Sequence, residues 1–218
     1  MPDYTVARLN MVDGQIKPNR VTDGAVLDAF LEVPRELFVP KAMRGIAYVD
    51  EDIRIGGNRW LMEPMVLGRL IQESVIGPDD VVLDVGCGSG YSTAVIARLC
   101  NTVVAVESDA ELAHQATQLL AQLGVDNAVL MEGPPAEGHR DQAPYQVIIV
   151  NGAVAEVPQA LTEQLADGGR LAAVIRPGSG MGKATLFLRI GDTLSRRELF
   201  DAATPYLPGL EPRPAFQF

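Results

Sequence analysis

Apolar residues follow two rhythms along this chain. In the first part they recur at helical spacing, through Val6, Leu9 and Met11 and again through Val26, Leu27, Phe30 and Leu31, with Thr22 and Asp23 placed as N-caps of the second run. The spacing predicts an N-terminal helical region stopped by Pro34 and Pro40. Over residues 44–60 it predicts short extended pieces ending in Gly56, Gly57 and Asn58. From Pro64 the rhythm changes. A helix over 64–75 and a turn at GPDD lead into VVLDV, a continuous apolar run of the kind that forms a strand buried on both faces. Helix 90–99, strand TVVAVE, helix 109–123, strands NAVLM and YQVIIVN, helix 156–166, the turn DGG and strand RLAAVIR follow in turn. Strands spaced by helices imply a mostly parallel α/β sheet with right-handed crossovers. The runs ATLFLRI and LSRRELF, broken at GDT, predict a closing antiparallel hairpin, and the proline-rich PYLPGLEPRPAF a segment packed across the surface.

Composition narrows this picture without redirecting it. With 218 residues, 47% hydrophobic and 21% charged, we expect one domain over 1–218: an N-terminal helical and loop region to residue 60 and an α/β core over 61–218. The net charge of -10 argues against a nucleic-acid partner, whose affinity rests on phosphate neutralisation. Cys87 and Cys100 have no metal-site spacing and cannot build a disulfide framework, so a reduced, cytoplasmic setting and no metal are expected. No apolar leader and no run near the roughly 18 residues that span a bilayer occur, so export and membrane insertion are not expected. Oligomeric state is not legible.

The chemistry concentrates after VVLDV. Asp84 ends that strand, and Gly86, Gly88 and Gly90 open a helix, where glycine lets backbone approach a ligand and the helix start offers free N–H groups. A dinucleotide fingerprint shares the first two glycines but needs Gly or Ala at 91, where this chain has Tyr91. Glu107 ends the next strand, where a carboxylate reaches two ribose hydroxyls; Ser108 follows it. Glu132 follows the third strand, near an expected adenine edge. His114 and His139 read as ordinary surface residues.

From about residue 11 to 210 the chain resembles the protein-L-isoaspartate O-methyltransferase family of class I S-adenosylmethionine-dependent methyltransferases. The stretch from MVDGQIKPNR to DEDIRIG, the loop VVLDVGCGSGYSTAVIA, and APYQVIIVNGAVAEVPQALTEQLADGGRL carry the likeness. The resemblance implies a Rossmann-like methyltransferase fold and S-adenosylmethionine held at Asp84, Gly86, Gly88, Ser89, Gly90, Glu107, Ser108, Glu132 and Asn151. It also implies methyl transfer to the free α-carboxylate of isoaspartyl residues in damaged proteins.

One loop departs from the family. Where its members read close to Gly-Gln-Thr-Ile-Ser-x-Pro, this chain has NRWLMEP, so Arg59 stands at the Gln position, Trp60 at the Thr and Met62 at the Ser. Hydroxyl donors give way to an indole and a thioether, while Arg59 offers a charged fork to a substrate carboxylate or lies on the surface. Asn151 and Gly152 also replace the small Thr or Ala types. Asn151 can face the pocket or cap its own loop. Three functions therefore stand: the isoaspartyl methyltransferase, a methyltransferase of the same fold with a small-molecule acceptor, and a non-catalytic cofactor-binding protein.

Overall fold

The computed structural model describes residues 3–212. Its N-terminal part begins with α1 (Tyr4–Met11), whose first N–H groups are taken by the Asp3 carboxylate. It continues through a π turn and a 3-10 turn to α2 (Gly24–Glu32). Asp23 caps α2, accepting from the Ala25 and Val26 N–H groups; Thr22 does not. The apolar spacing misleads in α1: Val6 and Leu9 are about half exposed, and only Met11 enters the core. A hairpin of β1 (Ile53–Gly56) and β2 (Arg59–Leu61) follows, hydrogen-bonded as its own two-stranded sheet.

The α/β part starts at α3 (Pro64–Glu73), with proline at the helix start, where its missing N–H costs nothing. Then come β3 (Val81–Val85), α4 (Tyr91–Ile96), β4 (Thr102–Glu107), α5 (Ala110–Gln122) and β5 (Ala128–Glu132). The last group is β6 (Tyr145–Val154), α6 (Gln159–Thr162), β7 (Leu165–Ile175), β8 (Gly182–Ile190) and β9 (Thr193–Ala202). The seven-stranded sheet runs β5-β4-β3-β6-β7-β8-β9, parallel as far as β7 and antiparallel through β8 and β9, so the closing hairpin is present. Val82, Val103 and Val147 point to one buried face, and Leu83, Val104 and Ile148 to the other, which is why the central strands read as unbroken apolar runs.

Three expectations need correction. The helix expected over 156–166 shrinks to α6, because Leu165 already pairs with Tyr145 and pulls the chain into β7. The DGG turn is absorbed into β7 as an irregularity between the Tyr145–Leu165 and Val147–Arg170 pairs. The C-terminal segment does more than cover surface. The Leu207 N–H donates to the Ala153 carbonyl and the Ala153 N–H to that of Pro205, both at 2.8 Å, which leaves Leu207 fully buried against β6. The remainder of that segment, from residue 213, lies outside the described residues.

β3 lies between β4 and β6, and their crossovers leave in opposite directions from it. In open α/β sheets this is where a crevice forms beyond the carboxyl ends of the strands.

Candidate active site

At that crevice the chain turns from β3 into α4 through Gly86 to Gly90. Gly86 and Gly88 have φ of +71° and +56°, which side chains disfavour, and a Cβ at Gly88 would sit 2.7 Å from the Ile55 side chain. At Gly86 a Cβ would collide with Leu207 and come within 3.0 Å of the Arg59 guanidinium. The loop is therefore a cradle bordered by Ile55, Arg59 and Leu207. Tyr91, in the place of the fingerprint's third small residue, points away from it. Its buried ring meets Phe38 edge-on at 5.4 Å, with the Arg35 guanidinium 4.9 Å from its centroid.

Glu107, at the tip of β4, is fully buried. Its carboxylate accepts the N–H groups of Gly88 at 2.7 Å, Ser108 at 2.9 Å and Asp109 at 3.0 Å. Arg59 supplies the counter-charge, with Nη2 2.8 Å from Oε2 and Nε 3.1 Å from it; Nη2 also donates to the Gly86 carbonyl. Both side chains are nearly sealed from water. The expectations of a surface Arg59, or of a fork free for a substrate carboxylate, are thus corrected: the fork grips an internal carboxylate. At the hairpin tip Gly57, with φ of +46°, lies against the start of α5, where a Cβ would come within 3.3 Å of the Asp109 carboxylate.

Asp84 is buried beneath the loop, and burial pushes its carboxyl up to about 6 despite hydrogen bonds from Thr93, Ser92 and Asn151. Asn151 therefore braces Asp84 rather than capping its own loop. The Ser89 hydroxyl is buried with no partner, Ser108 is at the surface, and Glu132 is exposed one strand beyond Glu107. Burial also raises the Cys87 thiol well above its usual range, which makes it a poor nucleophile. Among the described residues no cluster of metal-ligating side chains occurs, and no helix is long and apolar enough to cross a membrane.

Trp60 is half-buried on the hairpin, whereas Met62 packs into the apolar core and offers only its carbonyl, which accepts from Arg35. The family's loop puts Met62 at a substrate-facing position, but here Leu61 and Met62 are both buried as the strand ends, so the Met62 side chain faces the core. Next to it, burial together with Asp52, Asp50 and Glu51 pushes the Glu63 carboxyl from 4.5 up to about 7. A carboxyl with a higher pKa folded than unfolded favours folding in acid, and that contribution is lost as pH climbs from about 4.5 to 7. Glu63→Gln should accordingly raise the thermal midpoint at pH 8 by roughly 2 °C, discounted for partial exposure, and leave it level at pH 4.5. Scanning calorimetry at the two pH values checks this; a gain of equal size at both would rule it out.

Sequence reasoning missed Arg35, Ile55 and Leu207. Arg35 is fully buried, donating to Ala47 and Met62 carbonyls at 2.7 and 2.9 Å. Its only sequence signal was a charge inside the motif VPRELFVP, and Leu207 gave no signal beyond apolarity.

The acid-tipped strands, the glycine cradle and the strand order define an α/β fold of the class I methyltransferase type. The family model described as Protein-L-isoaspartate(D-aspartate) O-methyltransferase (PCMT) matches residues 8–204. A protein-L-isoaspartate O-methyltransferase of Roseiflexus castenholzii is 38% identical over 200 residues, covering 91% of this chain and 90% of its own. One of Methanoregula boonei is 42% identical over 164 residues, covering 75% and 76%. A solved protein-L-isoaspartate O-methyltransferase superposes with a TM-score of 0.82 at 27% identity, over 94% of this chain and 67% of that one. The chain belongs to the protein-L-isoaspartate O-methyltransferase family, and with it to the S-adenosylmethionine-dependent methyltransferases.

Proposed function

We propose that this protein methylates the free α-carboxylate of L-isoaspartyl residues in damaged proteins, with S-adenosylmethionine as donor. The observation that carries this reading is the family match over residues 8–204. The acceptor needs no base, since a carboxyl of pKa about 4 is already an anion at neutral pH. This agrees with a site whose buried acids are tied up in hydrogen bonds.

The residues present fit the donor in kind. The cradle at Gly86, Ser89 and Gly90 gives close backbone approach, and Glu107 with the neighbouring Ser108 would hold the ribose. Glu132 would border the adenine, and Asp84 with Asn151 would brace the loop from below. The sulfonium supplies a methyl carbon open to attack by an anionic oxygen. What the chain contributes is alignment and exclusion of water.

A cleft of about 560 Å³ opens beside the cradle, with Ile55 and Ser89 on one wall and α5 on the other. Among the described residues its charged lining consists of Lys41 and Arg44, in a chain whose net charge is -10. That local positive field suits a carboxylate-bearing segment, whereas Trp60, paired with the exposed Arg54, stands on the other face of the hairpin and does not line the cleft.

The test is methyl transfer from labelled S-adenosylmethionine to an isoaspartyl peptide and to its normal aspartyl twin. Turnover should favour the isoaspartyl peptide by on the order of a hundredfold or more. Equal turnover on both, or none on either, would remove the acceptor assignment.

A further inference from the structure

We infer that Arg59 is a built-in competitor for the nucleoside position, so that cofactor binding requires its guanidinium to leave Glu107. The inference rests on the proposed reading of Glu107 as the ribose carboxylate.

A carboxylate offers about four lone-pair sites. At Glu107 three are taken by the N–H groups of Gly88, Ser108 and Asp109, which belong to the turns themselves and stay with the fold. Arg59 takes the fourth, at 2.8 Å, and spreads Nε across both oxygens at 3.1 and 3.2 Å. No acceptor site is left for a hydroxyl, and only the departure of Arg59 frees one, on Oε2, for a ribose hydroxyl. The same guanidinium donates to the Gly86 carbonyl and stands over the cradle, where a Cβ on Gly86 would lie 3.0 Å from Nη2. Arg59 thus occupies the carboxylate and the cradle at once, and it is the removable member of the set.

Its mount suits that role. Arg59 sits on β2, whose strand partner is β1 alone, and Ile53 and Leu61 anchor that hairpin in the core, so the part that has to swing is the Arg59 side chain and not the strand. A shorter, neutral glutamine at 59, as in the family's loop, cannot neutralise Glu107 or form a two-pronged contact with it. Apparent affinity falls with the fraction of molecules in the binding-competent state. A buried ion pair that must open first lowers that fraction.

S-adenosylhomocysteine binding measured by titration calorimetry on wild type, Arg59→Gln and Arg59→Lys, with urea unfolding of each, tests the inference. Arg59→Gln should bind at least tenfold more tightly while unfolding at lower urea, and Arg59→Lys, which keeps the charge without the fork, should fall between. A purely structural Arg59 would lower stability and affinity together. Equal or weaker binding by folded Arg59→Gln would overturn the inference and leave the cofactor reading intact. If that variant does not fold cooperatively, Arg59→Lys decides: affinity no higher than wild type overturns the inference. Binding by none of the three would overturn the reading of Glu107 as well.

Discussion

Glu107→Gln should weaken S-adenosylhomocysteine binding by on the order of a hundredfold and lower folding stability by about 3 kcal/mol. The carboxylate is surrounded by donors only: three backbone N–H groups, the Arg59 fork and, at 3.4 Å, the Ser108 hydroxyl. A glutamine there must turn its NH2 toward some of them, and the buried guanidinium loses its counter-charge. Calorimetry and urea unfolding read the two effects separately. The double variant with Arg59→Gln should recover part of the stability, because the stranded charge is gone, but not the binding. A stability loss under about 1 kcal/mol would mean that the pair contributes no more than an exposed one.

Arg35→Ala should have the largest effect on folding alone, a loss of about 3–5 kcal/mol. The arginine is fully buried, and burial lowers its pKa; among the described residues no carboxylate forms an ion pair with it. Removing it leaves a cavity beside Tyr91 and strands the Ala47 and Met62 carbonyls without donors. Arg35→Met should lose less, since it refills the space but not the hydrogen bonds. Urea midpoints rank the two variants, and equal losses would show that the carbonyls, rather than the packing, carry the cost.

The parts of the fold visible in the sequence were those governed by neighbours in the chain. VVLDV, TVVAVE and YQVIIV declare buried strands by composition alone, Asp23 stands where a cap belongs, and Gly191 with Asp192 turns the last hairpin. The parts misread were decided by distant partners. β6 runs on through Asn151 to Val154 because its end is paired on both sides, with Val174 and Ile175 of β7 and with residues 205–207. α6 is cut short by a strand pair twenty residues apart, Tyr145 with Leu165. At the site, the glycine cradle and both strand-end acids were legible from motif and position. That Arg59 bends inward to Glu107, 48 residues later, was not, since no local pattern separates an arginine that faces water from one that meets a buried acid.

The closure contributed by Leu207 is also separable from the sheet it closes. Every strand ends by Ala202, so the ladder of the sheet needs nothing from Pro205–Leu210. Without that segment the glycine turn lacks one of its walls, while β6 beyond Val150 keeps its pairing with β7 through Ala153–Val174 and Val154–Ile175. Scaffold and pocket wall are thus distinct parts, and a chain ending at residue 204 should fold as a sheet with an open crevice.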